Sequence, residues 1–154
     1  MEYIGEISGK GKKVAIVVSR FNEFVTERLV KEAVEELIQN GVEKSDIDVY
    51  KVPGSFEIPV VIKRLLEKKK YHGILALGAV IRGDTPHFEY VAGELTRGIG
   101  RLTLDYGIPI AFGIITADTM DDAIERAGGK KGNKGRDSAR ALLEILGLLE
   151  KAQL

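Results

Sequence analysis

Three short apolar runs, residues 14–18, 74–81 and 108–115, constrain what this chain can fold into more than any other feature. None of them alternates polar with apolar residues. A strand with one wet face alternates at period two, so these runs read as strands buried on both faces, the pattern of a parallel sheet covered by helices. A fourth segment, from Ile47 to Val52, alternates more and reads as a strand nearer an edge. Gly78 and Gly113 weaken two of the runs slightly as strands, but they permit close approach of a neighbour or a ligand.

Helical periods separate the strands. Val25, Leu29, Ala33 and Leu37, with Val30, Val34 and Ile38 beside them, form one broad apolar stripe that Gly41 ends. Pro59 fits a first helical turn before Val60, Val61, Leu65 and Leu66. Phe88, Val91, Ala92, Leu95, Ile99 and Leu102 repeat at three- and four-residue steps within residues 86–106. Thr119 and Asp122 make a capping box before a short helix, and a last helix is predicted over residues 137–151. The order β-α-β-α-β-α-β-α-α implies right-handed crossovers and a three-layer αβα sandwich around a four-stranded parallel sheet. No repeat or linker divides the 154 residues, so 1–154 reads as a single domain. Before the first strand, Tyr3, Ile4 and Ile7 alternate, as in a frayed end or an arm that adds a strand to a neighbouring subunit.

Composition removes several classes of function. Lys+Arg and Asp+Glu are equal at 23 each, so the cationic surplus needed to hold nucleic acid or an anionic membrane is absent. There is no cysteine for a disulfide or a thiolate site. No N-terminal signal core is visible, and no run reaches the roughly 18 apolar residues of a membrane span. These features lead to the expectation of a cytoplasmic protein.

In an open α/β sheet, ligands bind beyond the carboxyl ends of the strands. The segments there are Ser19-Arg20-Phe21-Asn22, Pro53-Gly54-Ser55-Phe56-Glu57, Arg82-Gly83-Asp84-Thr85-Pro86-His87 and Thr116-Ala117-Asp118-Thr119. Topology thereby gathers Phe21, Phe56, Glu57 and His87 on one edge, a set suited to a flat polar ring; the two phenylalanines could equally be core aromatics. In the third segment Thr85 fits an N-cap and Pro86 a first helical position, so unpaired backbone N–H groups would face the loop as a phosphate site. The helix dipole there favours a neutral His87 that accepts a proton. His87 could also be plain capping or surface decoration, and His72, before a strand on the opposite edge, reads as structural. Arg82-Gly83-Asp84 matches an adhesion tripeptide by chance. Residues 128–135, rich in glycine and lysine, lack the Walker spacing and follow a helix. They read either as a flexible connector or as a lid that brings Lys134 to a phosphate, with Arg126 as a phosphate fork or a helix-end cation.

Taken together, these segments resemble the lumazine synthase family. The matching blocks are the first three loops above, Val52 and Ile58-Pro59 around the second, Gly78 to Phe88 around the third, Phe112-Gly113-Ile114-Ile115-Thr116, and Glu125-Arg126-Ala127-Gly128 with Gly132-Asn133-Lys134-Gly135. They span essentially the whole chain in order. The resemblance implies a flavodoxin-like fold and a transferase of riboflavin biosynthesis. Its reaction condenses 5-amino-6-(D-ribitylamino)uracil with 3,4-dihydroxy-2-butanone 4-phosphate, without metal or organic cofactor. It further implies that Phe21 stacks on the pyrimidine and that Ser55, Phe56 and Glu57 line the uracil and ribityl site. Ala79, Val80 and Ile81 would offer backbone partners to the ring edge, and Phe112 would contact it. Asp84, Thr85 and Arg126 would hold phosphate, His87 would shuttle the proton, and Lys134 would stand near the phosphate or ring. One departure is Gly129, where many members carry threonine.

The resemblance also implies a homo-oligomer of pentamers with active sites shared between subunits. The short 128–135 connector matches members that assemble twelve pentamers into an icosahedral shell, and riboflavin synthase is a partner to consider. A second face on the predicted third helix, Tyr90, Gly93, Arg97 and Gly100, would let another helix approach. Two competing classes are weaker. A signalling receiver on the same fold needs an acidic pair after the first strand, where Ser19-Arg20-Phe21 stands. A shell protein that has lost catalysis would have no need of Phe21, Glu57, His87 and Arg126.

Overall fold

A computed structural model describes all 154 residues. Four strands form one parallel sheet: β1 (Val14–Ser19), β2 (Ile47–Val52), β3 (Gly73–Ile81) and β4 (Ile110–Ala117), in spatial order β2-β1-β3-β4. Helices α1 (Glu23–Gln39) and α5 (Lys134–Ala152) cover one face, and α2 (Ile58–Lys68) and α3 (His87–Tyr106) cover the other. A short α4 (Met120–Glu125) follows β4. This is the expected three-layer α/β sandwich, with β2 at one edge as its alternation foretold.

The strands are apolar toward both faces, and their residues divide between two buried clusters. Val14, Ile16 and Val18 point to the α1/α5 side, while Ala15 and Val17 point to the α2/α3 side. Leu75 and Leu77 of β3 join the first cluster, and Ile74 and Ala76 the second. Ile16, Leu29, Leu75 and Leu142 are fully buried. Each such side chain removes apolar surface worth about 1.5–3 kcal/mol from water.

Several expectations shift. The third apolar run was expected to be buried on both faces, yet β4 lies at the second edge of the sheet, starts two residues later, and leaves Phe112 exposed. Val60 is exposed as well; the stripe of α2 that packs is Ile58, Ile62, Leu65 and Leu66. Helix α5 begins at Lys134 rather than at residue 137, because Asn133 caps it: the Asn133 side-chain oxygen accepts from the Arg136 N–H at 3.0 Å. A small antiparallel hairpin, β5 (Ala127–Gly129) with β6 (Gly132–Asn133), occupies what was read as an irregular connector.

The first residues form no strand in the chain. They run along α5, where Ile7 packs on the core and the Lys151 ammonium reaches the Ile4 carbonyl at 3.4 Å. His72 is structural as expected, its Nδ1 accepting from the Lys13 N–H at 2.9 Å. Near that end of the sheet, Tyr71 donates to Asp48 at 2.5 Å and its hydroxyl also lies 2.5 Å from that of Tyr50. No helix is long and apolar enough to cross a membrane.

Candidate functional site

Three of the four carboxyl-end loops converge on a cleft of about 670 Å³. The first is held by continuation of strand pairing past the end of β1: the Arg20 N–H bonds the Val52 carbonyl at 2.7 Å and the Phe21 N–H bonds the Pro53 carbonyl at 3.1 Å. Asn22 then takes a left-handed conformation, φ 64°, which turns the chain into α1. Its side chain does not cap that helix but donates to the Ala79 carbonyl at 3.0 Å. Phe21 is left 70% exposed at the cleft wall.

The second loop closes as a single helical turn, Ser55–Glu57, with the Glu57 N–H bonded to the Gly54 carbonyl at 3.2 Å. Ser55 is buried at the floor, whereas Phe56 is 58% exposed and Glu57 stands beside it. With both Phe21 and Phe56 open to solvent, the core-aromatic alternative is removed. Two exposed aromatics and a buried hydroxyl lining one cleft offer it stacking surface and a polar contact.

The third loop carries the helix start. The start of α3 differs from the expectation: the helix begins at His87 with Pro86, not Thr85, at its N-cap and no side-chain cap. The Thr85 hydroxyl accepts only a long bond from the His87 N–H at 3.4 Å. His87 and Thr85 both face the cleft. The loop is braced from the fourth segment: Arg82 Nε donates to Asp118 at 2.8 Å, its other arm reaches Glu89 at 3.5 Å, and the guanidinium lies 4.7 Å from the Phe88 ring centre. The Asp118 carboxylate holds the Arg82 guanidinium above its ordinary pKa range.

The structure therefore brings together Phe21, Ser55, Phe56, Glu57, Ala79, Val80, Ile81, Thr85 and His87. Asp84 is exposed in the same loop but does not line the cleft. Phe112, Arg126 and Lys134 are elsewhere in the chain. Phe112 lies on the edge strand β4, where it pairs with Ala76 partway along β3. Arg126 ends α4 and donates to the Asp122 carbonyl at 2.9 Å. Lys134 opens α5, exposed, its N–H bonded to the Arg126 carbonyl at 2.8 Å.

The 128–135 segment is an anchored hairpin, not a loose lid. Asn133 is buried and also donates to the Arg28 carbonyl of α1 at 3.4 Å, and a Cβ at Gly135 would overlap the Leu29 backbone. At Gly129 a Cβ would stand 2.6 Å from the Glu125 Cα, so the hairpin closes on α4 more tightly than a threonine there would allow.

Sequence reasoning did not single out Asn22, Phe88, Tyr90 or Val91 as site residues, yet all four line the cleft. Phe88 and Val91 were absorbed into the core stripe of α3, whose first turns run past the sheet and become cleft wall. Tyr90 was read as part of an association face. An asparagine just ahead of a helix signals a cap, and nothing in the sequence revealed that its side chain turns to β3 instead. No group of three or more potential metal-ligating side chains comes together.

Residues 11–150 match the family model described as 6,7-dimethyl-8-ribityllumazine synthase. The chain is similar to the protein of that name from Nitratidesulfovibrio vulgaris, 49% identical over 147 residues that cover 96% of this chain and 94% of the relative. It is similar to the one from Syntrophus aciditrophicus, 50% identical over 147 residues, 96% of each chain.

Proposed function

The chain belongs to the 6,7-dimethyl-8-ribityllumazine synthase family, and from that membership we propose how its cleft divides the work of the reaction. The activity is the condensation of 5-amino-6-(D-ribitylamino)uracil with 3,4-dihydroxy-2-butanone 4-phosphate, the penultimate step of riboflavin biosynthesis. The 5-amino nitrogen attacks the ketone carbon, and loss of water gives an imine. A proton leaves the adjacent carbon as phosphate departs from the next one. The resulting enol takes a proton at its terminal carbon and loses one from oxygen to give a methyl ketone. The ribityl-bearing nitrogen then closes the ring on that carbonyl with loss of a second water.

In this reading Phe21 stacks on the pyrimidine and Phe56 lines the uracil and ribityl site. Ser55, Glu57 and the backbone of Ala79, Val80 and Ile81 hold its polar edge and the ribityl chain. Thr85 and the backbone N–H groups of Asp84, Thr85 and the first turn of α3 take the phosphate, where the helix dipole favours an anion. His87 takes and returns the protons, a role that contributes about 10²–10⁴ in rate. Holding the amine against the ketone supplies much of the rest. The observation that carries the reading is the convergence of three sequence-distant loops, with these residue types, on one cleft.

Phe112, Arg126 and Lys134 complete the set from a second copy of the chain. Their position outside the cleft supports sites shared between subunits, as do the exposed edge of β4 and the exposed face of α3 with Tyr90 and Arg97. We read the assembly as pentamers, twelve of them closing an icosahedral shell that riboflavin synthase can join. Residues 1–154 act as one catalytic domain. The phosphorylated substrate does not cross membranes unaided, so the enzyme works in the compartment that holds it, which we read as the cytoplasm.

Mixed reassembly tests the shared site. His87→Ala and Arg126→Ala variants, unfolded and refolded together, should form the lumazine chromophore faster than the average of the two alone. Activity no higher than that average would place both residues in one subunit's site. Light scattering that finds a particle near pentamer mass would refute the shell.

A further inference from the structure

At the floor of the cleft, two buried serines meet over a bare stretch of backbone. Ser19 ends β1 and is 1% exposed; Ser55 opens the turn after β2 and is 6% exposed. The Ser55 hydroxyl donates to the Ser19 oxygen at 3.4 Å. Val18 pairs with Leu77, so Ser19 stands beside Gly78 across β1 and β3. A Cβ at Gly78 would lie 3.0 Å from both serine oxygens, with Ile114 at 3.3 Å behind. The two hydroxyls thus occupy the space that a side chain at residue 78 would fill.

We propose that Ser19, which does not line the cleft, is a positioning residue that takes the Ser55 proton and leaves the Ser55 oxygen facing the cleft as an acceptor only. A hydroxyl has one proton to give. With that proton spent on Ser19, Ser55 can receive but not donate, and it selects a substrate N–H or O–H at that point over a carbonyl. The proposal rests on the reading of this cleft as the ribitylaminouracil site. Ser19 touches no reacting atom; it acts through Ser55. Gly78 serves the same end by keeping the floor low enough for both hydroxyls.

The test is steady-state kinetics of Ser19→Ala, Ser55→Ala, the double variant and Gly78→Ala, with both natural substrates and thermal melts of each protein. Ser19→Ala should raise the KM for 5-amino-6-(D-ribitylamino)uracil about 5–10-fold, the scale of one hydrogen bond to a ligand. The KM for the butanone phosphate and kcat should stay within about twofold. Gly78→Ala should raise the same KM. In the Ser55→Ala background, Ser19→Ala should add nothing, because the residue through which it acts is gone. An unchanged uracil KM in Ser19→Ala, multiplying effects in the double variant, or a parallel fall of every parameter with Tm would each overturn the proposal. Phe21→Ala separates the two levels. If it raises the uracil KM while Ser19→Ala does not, only the positioning role fails; if neither does, the reading of the cleft fails too.

Discussion

Asn22, in a left-handed backbone conformation, donates its side-chain amide to the carbonyl of Ala79 at 3.0 Å, and so ties the first cleft loop to the end of β3. One residue thereby fixes both the turn that presents Phe21 and the strand whose backbone is proposed to meet the ring. Asn22→Ala should lose the tie and keep the left-handed strain, for about 2–3 kcal/mol in urea denaturation. Asn22→Gly relieves the strain and should cost roughly 1 kcal/mol less. Equal losses in the two variants would show that the backbone conformation carries no cost here.

His87→Ala should retain measurable turnover. Its kcat should fall by about 10²-fold or more, since proton transfer is only part of the acceleration. Product formation followed by absorbance against the uncatalysed background measures this directly. Loss of all catalysis would show that the histidine does more than move protons.

Arg126→Ala should raise the KM for the butanone phosphate by about tenfold or more and leave that for the ribitylaminouracil near its original value. An unaltered butanone phosphate KM would remove Arg126 from the phosphate site. Arg126→Lys is the informative companion, because a lysine keeps the charge and loses the two-pronged geometry.

Asn133 caps α5 and reaches α1 from a buried position, so Asn133→Ala should cost about 1–3 kcal/mol. Gly135→Ala, which forces a Cβ into the Leu29 backbone, should cost about 1–3 kcal/mol. Chemical denaturation of each variant gives both values. A stable Gly135→Ala protein would mean that α1 and α5 can part without penalty.

At the opposite end of the sheet, the Tyr71 hydroxyl, with Lys70 assisting, holds the Asp48 carboxyl below its ordinary pKa of 3.8. A depressed carboxylate contributes stability that is present above the unfolded pKa and is lost as pH falls through the folded one. Burial and the same Asp48 contact push the Tyr71 phenol well above 10.0, so its contribution is present below pH 10 and is lost as the solution becomes more alkaline. Asp48→Asn should therefore flatten the fall in Tm from pH 5 to pH 3. The side chain of Asp48 is 40% exposed, which keeps the effect modest. An unchanged acid limb would show that Asp48 does not sense folding.

Much of this molecule was legible before any coordinates. Unbroken apolar runs located three of the main strands, a partly alternating segment the fourth, period-3.6 stripes the long helices and a capping box the short one, because each of these leaves a local signature in the sequence. The carboxyl-end rule then gathered Phe21, Phe56, Glu57 and His87 correctly, since parallel strands fix where their loops emerge. The failures share one cause: contacts between segments leave no local pattern. Lys134 looked like a loop residue because the cap that starts α5 depends on Asn133 folding back on α1. The tie from Asn22 to Ala79 spans 57 positions, and the meeting of Ser19, Ser55 and Gly78 joins the end of β1 and the turn after β2 to the interior of β3. For β4, an apolar run looks the same whether a neighbouring strand or something outside the chain covers it.

That last ambiguity has a practical side. Along its free edge, β4 offers unsatisfied N–H and C=O groups next to half-buried Ile110 and Ala111 and exposed Phe112, with no proline or lysine in the strand to discourage pairing. Such an edge is a template for the wrong partner as readily as for the right one. In the assembly proposed above this edge would be covered, and a chain released from it by interface mutation should precipitate or form fibrils before it behaves as a well-mannered monomer. Its shelf life in isolation is then set by how quickly that edge finds company.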